Sequence, residues 1–325
     1  MLVPVFFIMI SIYDVYANQH KTIEWIENNL DSKPYDLVFF GDSSIRAVGL
    51  CDTGTTGIDQ WLKKITKYSV LPAESPAFSP IVYQDFISAV TNRLYKPKTI
   101  IIPINLRSFS AQWFTNPNYQ FYTDRIKARI KYHAFSLDDF LNYIRYQYTD
   151  KLDQEILSWD RTPIDYGNDY LGTRTSLLER MKMPSGAIVD CNPALKIVYH
   201  EQLRLMFLYR YMNWINSDHK MLDYLDETII QARNNNIDVV VYIMPVNIED
   251  GEMFVGKTFK PRIQENIETI SKRILSHDIE FINLAFSLPP ERFVDKRYVC
   301  EHLDDLGRKY VAGKIAVRLQ TKMTR

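Results

Sequence analysis

Tyr35-Asp36-Leu37-Val38-Phe39-Phe40-Gly41-Asp42-Ser43-Ser44, residues 35–44, decides how the rest of the chain is read. Four consecutive apolar residues, Leu37 to Phe40, run into a Gly-Asp-Ser turn. A short apolar run closed by turn residues reads as a strand buried on both faces, the kind found in parallel sheets. Gly, Asp and Ser are also what any turn after a strand prefers, with Asp or Ser capping the next helix, so the tripeptide alone is equally an ordinary turn. A serine at the end of such a strand is nevertheless where a hydroxyl nucleophile could be presented.

Outward from this stretch, strands and helices alternate. Thr99 to Ile104 is a β-branched run closed by Asn105 and reads as a middle strand. Between the two strands Val82, Phe86, Val90 and Leu94 recur every four residues, which predicts a helix packed on the sheet. Leu222, Leu225 and Ile229 mark a helix before the strand Ile237 to Met244; Ile263, Ile267, Ile270 and Ile274 mark another before the strand Ile279 to Leu284. Cys300-Glu301-His302-Leu303-Asp304-Asp305-Leu306-Gly307 leads into an amphipathic helix carrying Tyr310, Val311, Ile315 and Leu319. This alternation predicts an α/β fold, a parallel sheet covered on both faces, with sites at the carboxyl ends of its strands. Ser43, Asn105 and His302 all fall just beyond such ends. Residues 111–216 break the pattern: they are rich in Tyr and Trp, lack a clear strand and contain helical stretches such as Leu137 to Tyr148 and Leu203 to Trp214. They read as a mostly helical insertion over the carboxyl edge, within one domain spanning residues 20–325. Its aromatic residues either stack on sugar rings or form the core of the insertion.

Composition bounds the function. Lys and Arg balance Asp and Glu at 39 each, so no basic field points to nucleic acid. The three cysteines, Cys51, Cys191 and Cys300, are widely spaced and odd in number, which indicates neither a zinc knuckle nor a disulfide framework. The apolar run Leu2 to Tyr13 is broken by Asp14 and followed by Val15-Tyr16-Ala17, a small-residue pattern suited to cleavage. At ~1.5 Å per residue it is too short for a hydrocarbon core of roughly 30 Å, and no Lys or Arg precedes it. It reads as an export signal or anchor remnant over residues 1–19, against the alternative of a buried segment. An extracytoplasmic protein, associated with the membrane through residues 1–17, is the corresponding expectation.

Gly-Asp-Ser-Ser at 41–44, Asn105 after a middle strand and His-Leu-x-x-x-Gly at 302–307 occur in an order that resembles the SGNH (GDSL-like) hydrolase family over most of the chain. The layout is similar to that of its cell-surface polysaccharide esterase and O-acyltransferase members. The resemblance implies a three-layer, flavodoxin-like sandwich and a serine esterase or O-acyltransferase. It would work through an acyl-serine intermediate on an ester, such as an acylated small molecule or cell-surface glycan, and it needs no metal or nucleotide cofactor. The competing class is a non-catalytic surface or glycan-binding protein with a degenerate site.

A serine hydroxyl is a poor nucleophile at neutral pH; it needs an imidazole to take its proton, and the imidazole needs a carboxylate to hold its tautomer. Ser43 and His302 fill the first two roles. The family's acid lies three residues before the histidine, where this chain has Val299. Asp295, in Phe293-Val294-Asp295, is similar to the family's Phe-x-Asp approach and is preferred; Glu301, beside His302, and a Ser-His dyad without an acid stay open. Asp304 and Asp305 read as caps of the last helix. For the oxyanion the resemblance implies the Ser43 N–H, the Asn105 side chain and an N–H in the second block, matched here by Ala77 within Ser75-Pro76-Ala77-Phe78-Ser79. Gly54 and Gly57 read as loop glycines. Arg107 either steadies an anionic group of the substrate or sits in an ion pair.

Overall fold

The computed structural model describes residues 23–47, 52, 54–110, 113, 121–132, 141, 195–294 and 299–323. Helix α1 (Ile23–Ser32) precedes β1 (Leu37–Gly41), and α2 (Ile58–Thr66) leads to β2 (Val70–Glu74). Helix α3 (Pro80–Thr91) leads to β3 (Thr99–Ile104), and α4 (Tyr122–Tyr132), α5 (Leu195–Val198) and α6 (His200–Tyr211) follow. The chain then runs through α7 (Lys220–Asn234), β4 (Asp238–Ile243), α8 (Ile248–Val255), α9 (Phe259–Leu275), β5 (Glu280–Asn283) and α10 (Asp305–Met323).

The five strands form one parallel sheet in the order β2-β1-β3-β4-β5. Side-chain alternation sorts its residues onto two cores. Val38, Phe40, Ile100, Ile102, Val239 and Val241 face helices α1, α3, α7 and α9. Leu37, Phe39, Ile101, Val240 and Tyr242 face α2 and α10, which supply Ile58, Leu62, Val311, Ile315 and Leu319. The result is the three-layer α/β sandwich that the alternating pattern predicts. The chain leaves β1 to one side for β2 and returns to the other side for β3, so the switch point of this doubly wound sheet lies between the carboxyl ends of β1 and β3.

Two local expectations differ from the structure. Helix α3 stops at Thr91, and Leu94 is 81% exposed; the four-residue repeat overruns because Leu94 lies past the helix end, on a solvated turn. Strand β2 carries no signal that the sequence reading registered, because Pro72 sits in its middle. Pro72 has no N–H to give, which β2 tolerates at the sheet's edge, where one side is unpaired; central β3 also holds a proline, Pro103, but past the end of its pairing with β1.

In the insertion the described segments α4, α5 and α6 are helical, and the stretch Leu137 to Tyr148 lies outside the described residues apart from Leu141. Trp113, Phe207, Tyr209 and Tyr211 are buried, so these four belong to a core and form no exposed sugar platform. No helix among the described residues is long and apolar enough to cross a membrane. The run Leu2 to Tyr13 lies outside them.

Candidate active site

β1 ends at Gly41, where a side chain would collide with Ile45: an added Cβ would lie 1.9 Å from Ile45 Cδ1. Glycine therefore lets the 3₁₀ turn Ser43–Ile45 fold back over the strand end. Asp42 caps that turn, its Oδ1 accepting from Ser44 N at 2.8 Å. The cap leaves Ser43 half-buried at the switch point.

His302 arrives from the opposite end of the sequence. Val294 N donates to His302 O at 3.0 Å and Asp304 N to Arg292 O at 2.8 Å, an antiparallel bridge centred on Phe293 and Leu303 that fixes the backbone on both sides of the histidine. Asp304 then caps α10, its Oδ1 accepting from Gly307 N at 2.7 Å, while Asp305 accepts from Trp61 Nε1 at 3.0 Å. So held, His302 Nε2 lies 2.8 Å from Ser43 Oγ across 259 residues of chain. With the ring proton on Nδ1, Nε2 accepts from the serine hydroxyl, the arrangement a general base needs.

The chain reaches Asn105 at the end of β3, beside the switch point. Its Nδ2 donates to Asp42 Oδ2 at 3.0 Å, which takes one of the two amide hydrogens and leaves the other available. Ala77 has φ 66°, in the left-handed region that costs an L-residue about 1 kcal/mol or more. Phe78 N donates to Ser75 O at 3.1 Å across Pro76-Ala77, a type II turn in which glycine is the usual occupant of the Ala77 position. Neither Ser43 nor Ala77 gives its backbone N–H to an acceptor among the described residues.

Arg107 is 4% exposed and faces inward. Its Nη2 is 3.3 Å from Asp42 Oδ2, and its Nε is 2.9 Å from Glu301 Oε2, a charge contact without the alignment of a hydrogen bond. Burial alone would depress the guanidinium; the carboxylates of Glu301 and Asp42 more than offset it, so its pKa lies well above the usual arginine value and it stays charged. Of the two readings open from sequence, the ion pair is the one these contacts match; the group is already committed to two carboxylates.

Glu301, fully buried, places its other oxygen on the Tyr211 hydroxyl. Burial, then the Glu301 charge, pushes that hydroxyl's pKa well up, so Tyr211 remains protonated and donates. Both Glu301 oxygens are thus engaged, one by Arg107 and one by Tyr211, and no hydrogen bond joins Glu301 to the His302 ring among the described residues. Asp295 lies outside the described residues. No cluster of three or more His, Cys, Asp or Glu with metal-binding geometry occurs among the described residues.

Sequence reasoning missed how much Asp42 does, since a cap reading accounts only for its bond to Ser44. It also missed Tyr211, Trp113 and Arg308, for which no motif exists. Arg308 is fully buried on α10. It donates to the carbonyls of Thr56 at 2.7 Å, Gly54 at 2.7 Å, Ala47 at 3.2 Å and Leu303, and pairs with Asp52 at 2.6 Å. One side chain therefore ties the loop after Ser43 to the residue after His302.

No protein-family model matches the chain, and no characterised protein matches it significantly in sequence. Among solved structures, the native aryl esterase of M. smegmatis is similar at a TM-score of 0.36 and 9% identity, over 88% of this chain and 98% of that one. An acetyl xylan esterase from the rumen bacterium Butyrivibrio proteoclasticus is similar at a TM-score of 0.32 and 11% identity, over 89% of this chain and 64% of that one.

Proposed function

We propose that the protein is a serine esterase or O-acyltransferase that works through an acyl-Ser43 intermediate, with an acylated cell-surface glycan as its substrate class and an extracytoplasmic location. The observation that carries this reading is the 2.8 Å contact between Ser43 Oγ and His302 Nε2 at the switch point of a parallel sheet. In this reading Ser43 Oγ attacks the ester carbonyl carbon while His302 Nε2 takes the hydroxyl proton. The negative charge on the carbonyl oxygen is met by the N–H groups of Ser43 and Ala77 and the remaining Asn105 amide hydrogen. The intermediate collapses, and the departing alkoxide takes the proton from His302, leaving acyl-Ser43. Water or a sugar hydroxyl then attacks the acyl carbon, giving its proton to His302, which returns it to Ser43. Asp295 is the proposed acid that orients His302.

The test is covalent labelling with a fluorophosphonate, which reports an activated serine without needing the natural substrate. The wild type should label and hydrolyse a simple acetyl ester, and Ser43→Ala should do neither while keeping its circular dichroism and melting temperature. A wild type that does not label would make the protein a non-catalytic surface or glycan-binding protein. Labelling that persists in Ser43→Ala would place the reactive serine elsewhere.

A further inference from the structure

The residues adjacent to the proposed nucleophile and base, Asp42 and Glu301, are joined through a single side chain. Arg107 contacts Asp42 Oδ2 at 3.3 Å on one side and Glu301 Oε2 at 2.9 Å on the other, all three being at most 4% exposed. Asp42 also holds Ser44 N and the Asn105 amide, so the Ser43 turn and the end of β3 share its carboxylate. The guanidinium lies 5.3 Å from the centroid of the Trp113 ring, and Trp113 Nε1 donates to Ala77 O at 3.1 Å. Three separate pieces of chain, those carrying Ser43, Ala77 and His302, thus converge on one buried cation.

The insertion closes the far side of this arrangement. At the end of α6, Arg210 donates to Val299 O and Tyr211 donates to Glu301, so the loop that presents His302 rests on two consecutive residues of that helix. Two carboxylates and one guanidinium out of water are stable only while all are paired, and losing one partner strands a buried charge. That makes the geometry stiff. It also ties the Ser43–His302 separation to groups that touch neither the substrate nor the reacting atoms.

We propose that Arg107, with Glu301 and Tyr211, is a positioning bridge that sets the distance and orientation between Ser43 and His302. This rests on the reading of Ser43 as nucleophile. The bridge makes Arg107 a spacer between the two halves of the site, in place of a contact for an anionic substrate, and makes Glu301 the anchor of the histidine loop, in place of a triad acid.

Arg107→Ala would leave two buried carboxylates unpaired and is expected to fail to fold, so milder changes make the test. Arg107→Lys keeps the charge but loses the planar fork, Glu301→Gln keeps the shape but loses the charge, and Tyr211→Phe removes one hydroxyl. Each purified variant is assayed for hydrolysis of p-nitrophenyl acetate, with active sites counted by fluorophosphonate end-point labelling and folding followed by Tm. Expected is a loss in kcat per labelled site on the order of 10- to 10²-fold for Arg107→Lys and Glu301→Gln, as displacements near 1 Å produce, with KM within about 3-fold of wild type. Tyr211→Phe should show a smaller loss of the same kind. The Arg107→Lys/Glu301→Gln double variant should be no slower than the slower single variant, since the two act as one unit. Unchanged kcat per labelled site with a lowered Tm would overturn the proposal, leaving a purely structural ion pair. A rise in KM alone would also overturn it, making Arg107 a substrate contact. A wild type that neither labels nor turns over would instead remove the hydrolase reading, and with it any positioning role.

Discussion

At the residue scale, the site depends on how few atoms are left unengaged. Asn105 gives one amide hydrogen to Asp42, and its Oδ1 accepts from Arg107 N at 3.3 Å, so both ends of the amide are held in place. A donor fixed in this way contributes most when charge develops on the carbonyl oxygen. Asn105→Ala is therefore expected to lower kcat by about 10²-fold with little change in KM, measured on the same acetyl ester with Tm as a folding control. A change confined to KM would make Asn105 a ground-state contact. Ser43, His302 and Asn105 were legible as candidates because each closes a recognisable local pattern. Arg107 and Glu301 were legible only as alternatives. Which way a buried guanidinium points, and which way the neighbour of a histidine turns, depends on Tyr211 and Asp42, and neither is near them in sequence.

At the element scale, helices announced themselves through apolar spacing, and caps decided their ends. The cap of α7 is unusual. His219 is fully buried, with Nδ1 accepting from Met221 N at 3.2 Å and Nε2 donating to Phe109 O at 3.0 Å, so it serves as a neutral N-cap and a tether at once. Burial holds its pKa down at about 3, against 6.5 for the ordinary imidazole. Because the folded value is the lower one, the unfolded chain takes up a proton that the fold refuses. Stability is then fully present above pH 6.5 and is lost as pH falls from there toward 3, at up to roughly 1.4 kcal/mol per pH unit. His219→Asn keeps a capping oxygen but cannot titrate. Urea unfolding between pH 7 and 4.5 should show a shallower loss of stability with acid in this variant than in wild type, and equal slopes would refute the assignment. Nothing in the sequence around His219 suggested this, because a histidine before a helix reads the same whether exposed or buried.

At the scale of the whole molecule, the sheet order places the ends of β1 and β3 side by side, and the last helix returns to close the site. Arg308 makes that closure cooperative, since its three nitrogens make five contacts, to the loop after Ser43, the carboxylate of Asp52 and the carbonyl after His302. Asp52 is 1% exposed on its side chain, so removing the cation strands a buried charge and several carbonyls. Arg308→Met is expected to cost about 3–5 kcal/mol of unfolding free energy in urea titration. A loss below about 1 kcal/mol would mean that the loop holds its shape without the arginine.

The sequence by itself determined the class of fold and many of the strand and helix positions, and it put forward an early serine and a late histidine as candidates. Those properties follow from short-range periodicity and from the order of motifs along the chain. Strand β2 escaped because its tolerance of Pro72 depends on being at the sheet's edge, a fact of topology. The 2.8 Å contact across 259 residues, the inward turn of Arg107 and Glu301, and the burial of Arg308 were decided only by tertiary structure. The physical reason is common to all three. A polar or charged side chain takes its place according to the partners that folding brings to it, and those partners come from elements far apart in the sequence.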